Sequence, residues 1–233
     1  MRRFLWLTLI VAAGVGVLMF GASVQSDAWI SDFQIEKDEL VSTGRNPYFI
    51  LEPGYYLVLK GGDAQLIITV LNETKKVDGV VTRVVEERET KGGKLVELSR
   101  NYFAISERTN VVFYFGDDVN MYKDGKVVSH GGSWLSGVKS AKFGLMMPGQ
   151  PLLNARYFQE IAPKVAMDRA KIVSISETIK TPAGEFTNCL KVEETNPLQP
   201  STPEFKYYAP ATGMVQYGLL KLVKVGKADE PKK

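Results

Sequence analysis

His130 is the only histidine in the 233-residue chain, so any mechanism that needs an imidazole base has to use it. Ser133 and Ser136 lie close by in sequence, and the phrase His130-Gly131-Gly132 is similar to an oxyanion loop. A hydrolase of this kind also displays its nucleophile on a Gly-x-Ser-x-Gly turn between a strand and a helix, and the sequence has no such turn. A loop histidine is therefore the favoured interpretation, and no catalytic residue is assigned.

Metal ligands are scarce. One histidine and one cysteine exclude a zinc site built from several such side chains. Oxygen ligands do cluster at Asp117, Asp118, Asn120 and Asp124, but the segment lacks the glycine and the bidentate glutamate of a calcium-binding EF-hand loop. We interpret it as a solvated acidic turn, and we predict no metal and no cofactor.

Paired carboxylates, which glycoside hydrolysis requires, could come from two glutamate-rich strands. The candidates are Glu86, Glu87, Glu89, Glu193 and Glu194. Successive residues of a strand point to opposite faces, and a charged wet face is ordinary in an antiparallel sheet. The favoured interpretation is therefore a solvated sheet face rather than a catalytic pair.

The elements that would position these residues are strands joined by short turns. Gly61-Gly62, Asp78-Gly79, Gly92-Gly93 and Asp124-Gly125 separate segments rich in β-branched and aromatic residues, which is typical of hairpins. Only Pro163–Lys171 suggests a helix, of one or two turns. The predicted fold is mainly β, a single domain of antiparallel strands with little helix. The predicted strands are Tyr55–Lys60, Ala64–Asn72, Val80–Thr90, Lys94–Ile105, Val111–Phe115, Phe186–Glu194, Phe205–Ala209 and one after Gly213.

The N-terminus predicts export. Arg2 and Arg3 precede an apolar run from Phe4 to Phe20, and Ser26-Asp27-Ala28 resembles a cleavage site, as in a secretory signal peptide over residues 1–28. An uncleaved membrane anchor is the alternative, since the run approaches the length of a membrane span. We expect a periplasmic or extracellular protein with a linker at 29–45, a β-rich domain at 46–225 and a disordered basic tail at 226–233.

Cys189, the single cysteine, leaves this chain without an internal disulfide. It lies in an apolar–polar alternation between Phe186 and Leu190, which favours a buried, unreactive thiol. Positive and negative residues are interspersed, and the formal net charge is only +3, so no nucleic-acid partner is expected.

A binding mouth is predicted at Ser129–Pro151, where glycine, aromatic and methionine residues suggest a long irregular loop packed against the sheet. Aromatic pairs on the strands would place one ring on each face of the sheet. They could line a concavity for an apolar ligand, or serve only as core and cross-strand pairs. The candidate ligand-binding residues are Trp134, Phe143, Met146, Met147, Tyr114 and Tyr208.

Several phrases between Asn46 and Leu222 resemble those of a family of uncharacterised exported bacterial β-rich proteins. The resemblance implies an exported domain whose antiparallel sheet is curved into a half-open barrel, a shape shared with periplasmic carriers of lipids and lipoproteins. The phrases are Asn46-Pro-Tyr-Phe, Leu51-Glu-Pro-Gly54, Val112-Phe-Tyr-Phe-Gly-Asp117, Gly132-Ser-Trp134, Met147-Pro148, Thr181-Pro-Ala-Gly-Glu-Phe-Thr-Asn-Cys-Leu-Lys191 and Lys206-Tyr-Tyr-Ala-Pro210.

These observations favour an exported, non-enzymatic domain that binds an apolar or amphipathic molecule in the cell envelope. The first alternative is a structural or protein-interaction module of the envelope, with a protein as its partner. A hydrolase that uses His130 is the third hypothesis. Contact with a membrane is expected only through an uncleaved N-terminal segment.

Overall fold

The computed structural model describes residues 28–200 and 203–228. The predicted signal peptide, apart from Ala28, and the end of the predicted tail lie outside these residues. The strands are β1 (Leu40–Val41), β2 (Gly44–Asn46), β3 (Phe49–Leu51), β4 (Tyr55–Gly61), β5 (Ala64–Val77), β6 (Val80–Lys91), β7 (Lys94–Ser106), β8 (Val112–Lys123), β9 (Lys126–Ser129), β10 (Trp134–Leu135), β11 (Lys142–Met147), β12 (Arg156–Phe158), β13 (Glu160–Ile161), β14 (Arg169–Thr181), β15 (Gly184–Thr195), β16 (Glu204–Ala209), β17 (Gly213–Tyr217) and β18 (Leu220–Lys227).

Two-residue turns set the register of the long hairpins. Asp78 and Gly79 both have positive φ angles, 49° and 86°, and they join β5 to β6 so that Val77 faces Val80. Asp124 and Gly125 join β8 to β9 in the same way, with φ angles of 50° and 75°. Such turns match the right-handed twist of the flanking strands. The hairpins predicted at these dipeptides are confirmed.

One antiparallel sheet contains nearly all the strands and is almost closed into a barrel with one unsealed seam. The hydrogen-bonded order is β12-β14-β15-β16-β17-β18-β4-β5-β6-β7-β8-β11-β13. The predicted fold class, a mainly β domain with a curved or half-open antiparallel sheet, is therefore confirmed.

The two ends of this sheet are neighbours in sequence, because Gln159 alone separates β12 from β13. The chain thus crosses the seam, leaving a ladder with β14 on one side and joining a ladder with β11 on the other. The N–H groups of Gln159 and Glu160 both donate to the backbone oxygen of Asp168, at 2.8 and 3.0 Å. These bonds hold the crossing segment against the loop that leads into β14.

Both faces of several strands are buried. Inside the barrel lies a large apolar cluster that includes Leu59, Phe103 and Leu190. A second cluster lies on the outer face of β6 to β8, where Val84 and Phe113 alternate with the inward Val85 and Tyr114. The second cluster is covered in part by the segment before β1, which the sequence predicted as a linker.

Phe33 shows how this N-terminal segment packs. Its ring lies 6.1 Å from that of Phe113 and 6.5 Å from that of Phe143. At the other end of the domain β18 continues to Lys227, two residues past the predicted boundary. Among the described residues, no helix has the length and apolar character needed to cross a bilayer.

Two predictions about local structure were wrong. The helix expected at Pro163–Lys171 is a turn followed by the start of β14, because Ala162 and Ala166 form a backbone bridge and Lys164 adopts a positive φ of 68°. The loop expected at Ser129–Pro151 contains the strands β10 and β11, which both pair with β8. Glycines at the points of contact concealed these strands. Gly116 on β8 lets the backbone of Trp134 on β10 approach closely, and Gly144 on β11 does the same for the backbone of Gln159.

Gly144 on β11 lies against the crossing segment, and this contact generates a test of the seam. A Cβ atom at this position would lie 2.2 Å from the backbone oxygen of Gln159, closer than any carbon–oxygen contact allows. We expect Gly144→Ala to lower the free energy of unfolding by about 1–3 kcal/mol through overpacking, as measured by urea denaturation. Gly131→Ala is the control, since its Cβ atom would meet only the Ser129 hydroxyl, at 3.2 Å. Equal stability of the two variants would contradict this account of the seam.

Candidate functional site

The interior of the barrel changes from apolar to polar along its strands. On β6 the inward residues run from Val85 to Glu87, and on β15 they run from Val192 to Glu194. Alternate residues of a strand share a face, so these carboxylates belong to the same inner surface as the apolar core. The predicted solvated face is therefore wrong for Glu87 and Glu194, because closure of the barrel encloses the face that they share.

Two adjoining cavities lie in this interior. One, of about 60 Å³, is mainly apolar, and its wall includes Phe49, Leu57, Ile68, Val85, Tyr208 and Met214. The other, of about 120 Å³, is mainly polar, and its wall includes Asn101, Tyr114, Gln159, Glu160, Asp168 and Glu194.

Glu87, Met146 and Lys206 line both cavities, so the two spaces meet at these three side chains. A single water needs roughly 10–15 Å³ of such space, and a dry cavity of about 150 Å³ accommodates benzene. The combined space is therefore large enough for a small organic molecule with an apolar and a polar part.

An ion pair and a hydrogen bond link three side chains in the wall of the polar cavity. Lys206 Nζ lies 2.6 Å from Glu194 Oε2, and Gln159 Nε2 donates to Glu194 Oε1 at 3.1 Å. Burial by itself would lower the pKa of Lys206, but the charge of Glu194 outweighs it and the pKa is raised well above its usual value. Lys206 therefore stays protonated, and its charge is balanced by Glu194.

Glu87 has no hydrogen-bond or ion-pair partner among the described residues. Burial raises the pKa of this carboxyl to about 7, and Lys206 only partly opposes the effect. The nearby Glu89, Glu97 and Glu194 raise the pKa further. Near neutral pH the Glu87 side chain is thus divided between its charged and neutral forms.

Asp117 belongs to a hydrogen-bonded group at the side of the polar cavity. The Tyr114 hydroxyl lies 2.5 Å from Asn101 Oδ1 and 2.9 Å from Asp117 Oδ2. A hydroxyl has one proton and can donate to only one of these oxygens. Burial raises the pKa of Asp117 to about 7, although the hydrogen bonds that it accepts from Tyr114 and from the Trp134 N–H favour its charged form. Asp117 is therefore divided between its charged and neutral forms near neutral pH.

Glu160 extends the acidic wall toward the seam. The indole Nε1–H of Trp134 donates to Glu160 Oε1 at 3.4 Å. Burial, together with the charges of Asp168 and Asp117, raises the pKa of Glu160 well above its usual value. The cavity wall therefore contains several carboxyl groups that ionise less readily than in water.

Two buried hydroxyl groups, those of Tyr157 and Tyr208, have no hydrogen-bond partner among the described residues. Tyr157 is 2% exposed and Tyr208 is 1% exposed. An unsatisfied buried polar group costs about 1–3 kcal/mol of stability. Tyr208 lies in the wall of the apolar cavity, so its hydroxyl is available to a polar group of a bound molecule.

The structure brings together three of the six predicted ligand-binding residues. Tyr114, Met146 and Tyr208 line the two cavities, with Met146 common to both. Trp134 lies behind Tyr114, with its ring 5.5 Å from the tyrosine ring in an edge-on contact.

The other two predicted residues lie elsewhere. Met147 is buried in the interior apolar cluster, and Phe143 packs on the outer face, with its ring 5.1 Å from that of Phe115. The inward carboxylates and Lys206 were not predicted as site residues. The sequence did contain one signal for Glu87, because it follows Val85 by two residues on β6 and therefore shares the inward face of that strand.

Among the described residues, the side chains considered for catalysis are hydrogen-bonded to other groups and not to one another. His130 is exposed, and its Nδ1 lies 3.1 Å from the Val119 backbone oxygen, so this nitrogen carries the proton and donates. Ser133 accepts a hydrogen bond from the Val119 N–H at 2.8 Å, whereas Ser136 donates to Asp78 at 2.7 Å.

The lone cysteine and the acidic turn also have structural surroundings. Cys189 is fully buried, as expected, and burial raises the pKa of its thiol. Asp117 is buried, whereas Asp118 pairs with Lys75 at 2.8 Å on the surface, so the turn is not wholly solvated. Within residues 28–200 and 203–228, no three His, Cys, Asp or Glu side chains are grouped so as to hold a metal ion.

No family model, curated protein or solved structure matches this chain. The resemblance to a family of exported β-rich proteins therefore stays a prediction, and the functional argument depends on the geometry of the interior.

The interior carboxyl groups predict an unusual dependence of stability on pH. Glu87 and Asp117 have folded pKa values of about 7, above their ordinary values of 4.5 and 3.8. The stability that these two groups contribute to the folded state is fully present below their ordinary pKa values, and it is lost as the pH rises through 7. We expect the free energy of unfolding in urea to be about 1–3 kcal/mol larger at pH 5 than at pH 8. The Glu87→Gln variant should show a smaller difference in the free energy of unfolding between pH 5 and pH 8, because glutamine cannot ionise.

Glu86→Gln is the matched control, because Glu86 directly precedes Glu87 on β6 and its side chain lies on the opposite face of the sheet. Stability should fall again below pH 4.5, since the partners Arg45 and Lys227 hold the pKa of Glu52 at about 2 and protonation removes that pairing. A wild-type stability that is constant or rises between pH 5 and pH 8 would show that the interior carboxyls are not protonated as described.

Proposed function

We propose that this chain is an exported binding protein that takes a small apolar or amphipathic molecule into the interior of its barrel, without covalent chemistry. The observation that carries the proposal is the pair of adjoining cavities, one apolar and one polar, which share Glu87, Met146 and Lys206. Binding sites for small molecules are typically concave and mainly apolar, with a few polar groups that orient the ligand.

The size of the interior favours a compact ligand. The apolar cavity of about 60 Å³ and the polar cavity of about 120 Å³ suit a short alkyl chain or a single ring with a polar end. A long acyl chain would need a larger space. The proposed ligand thus lies inside the barrel, and the segment Ser129–Pro151 contributes Met146 to its binding site.

Export is part of the proposal, and the sequence supports it. The N-terminal residues have the charge and hydropathy pattern of a signal peptide. Fractionation of host cells tests this step. A mature N-terminus near Ala28 in the envelope fraction is expected, and an intact chain found only in the cytosol would contradict it.

Native mass spectrometry of protein purified from the envelope of its host tests whether a small molecule is bound there. A bound species that is lost on denaturation supports the proposal. Crosslinking in intact cells distinguishes the alternative function, because a structural or interaction module returns protein partners and no small molecule.

Filling the apolar cavity should prevent binding. Ile68 lies in its wall, and Ile68→Trp places a larger side chain in that space. We expect 1-hexanol to give saturable heat in a calorimetric titration of the wild-type protein, and this heat to fall at least tenfold in the variant. Ile175→Trp is the control, since Ile175 is 44% exposed on β14.

Thermal unfolding of both tryptophan variants checks that each is folded. Equal binding of hexanol by the two variants would place the hexanol site outside the barrel and would contradict the proposal.

A further inference from the structure

The wall shared by the two cavities has more carboxyl groups than cationic groups. Among the described residues, Lys206 is the one cation that lines them, and it is paired with Glu194 at 2.6 Å. Glu160 and Asp168 add two more carboxyl groups to the polar cavity. Glu87 faces both cavities and has no hydrogen-bond or ion-pair partner among the described residues. Glu87 is therefore the carboxyl group that is free to bind a group from outside the chain.

A second observation points to a ligand at the same place. The Tyr208 hydroxyl is buried, lacks a partner among the described residues and lies in the wall of the apolar cavity that Glu87 also lines. The charges of Glu194 and Lys206, and more weakly that of Glu87, act on this hydroxyl. A phenol oxygen accepts hydrogen bonds as well as donating one. Tyr208 and Glu87 together thus offer acceptors to a single donor group.

From these contacts we infer that the ligand is an amphipathic amine, whose ammonium group binds Glu87 and Tyr208 and whose apolar body lies among Leu57, Ile68 and Val85. The inference rests on the proposed function and adds the chemical class of the ligand. An ammonium group has three donors, which suits a carboxylate on β6 and a hydroxyl on β16 that line the same cavity. A cation buried in this way is stabilised only when it is paired and hydrogen-bonded, and both conditions are met here.

An anionic ligand fits the site less well. Lys206 could attract an anion only by giving up the Glu194 carboxylate, which would leave a buried charge without its partner. At pH 8 the Glu87 carboxylate, whose pKa is about 7, would repel the anion. A neutral alcohol would fill the apolar cavity but would leave Glu87 without a charged partner. An amine, an alcohol and a carboxylate that share one alkyl chain therefore differ in the charge of the polar end, and their affinities can be compared directly.

The test compares hexylamine, 1-hexanol and hexanoate, which share one alkyl chain, by calorimetric titration at pH 8 of protein purified from the host envelope. We expect hexylamine to bind at least tenfold more tightly than hexanol, and hexanoate to bind more weakly than either. Glu87→Gln should reduce hexylamine affinity about tenfold and leave hexanol affinity unchanged. Glu86→Gln, on the outer face of the same strand, should bind all three compounds like the wild type.

Tyr208→Phe is a second variant with a different signature. It removes a hydroxyl that has no partner among the described residues, so thermal stability should be unchanged or higher. Its affinity for hexylamine should nevertheless fall severalfold, whereas its affinity for hexanol should not. A merely structural tyrosine would change stability and the two affinities together.

The outcomes separate the inference from the proposed function. Hexanol binding that equals or exceeds hexylamine binding, or hexylamine binding that Glu87→Gln does not change, would overturn the amine and leave the binding function in place. If none of the three compounds gives saturable binding to the wild-type protein, both the inference and the proposed function fail.

Discussion

The closed shape of this domain depends on one backbone oxygen. Asp168 accepts hydrogen bonds from the amides of Gln159 and Glu160 at the point where the chain passes from one end of the sheet to the other. The ladders on either side belong to different partners, since β12 pairs with β14 and β13 pairs with β11. The two bonds to Asp168 and the close approach of Gly144 therefore hold the ends together. In an open sheet the inner face could remain wet, and neither the cavities nor the perturbed carboxyl groups would form.

Closure places ionisable groups where water cannot fully screen them. Glu87 and Asp117 keep their protons to about pH 7 because burial disfavours the charged form, and Lys206 stays charged because Glu194 is within 2.6 Å. A buried ion pair is often no more stable than the apolar residues that could replace it. The polar interior is thus a cost to folding, and the same residues supply the polar contacts of the proposed binding site. Stability and binding make opposite demands on these positions.

The burial of both faces of β6 to β8 explains why the sequence alternates only in part. Val84 and Val85 are both buried, one in the outer cluster and one in the interior, and Phe113 and Tyr114 are divided in the same way. An antiparallel strand with one wet face would alternate more cleanly. Part of the outer cover is the N-terminal segment, whose Phe33 packs against Phe113. This segment is therefore part of the packed domain, although its composition resembles that of a linker.

The amino-acid sequence by itself determined the mainly β fold and most of the strands, because glycine and aspartate turns and β-branched segments act locally. It also determined the burial of Cys189, and its residue types placed Tyr114, Met146 and Tyr208 among the binding candidates. Local signals failed where a contact is distant in sequence. The turn at Pro163 depends on the bridge between Ala162 and Ala166, and β10 and β11 exist through pairing with β8.

Only the tertiary structure decided which face of the glutamate-rich strands is enclosed. Period-two alternation puts Glu87 and Glu86 on opposite faces but does not say which face is inside. That choice depends on closure of the sheet across residues far apart in the chain, and closure places Glu87 in the wall of the cavity that Tyr208 also lines, without a close partner of its own among the described residues.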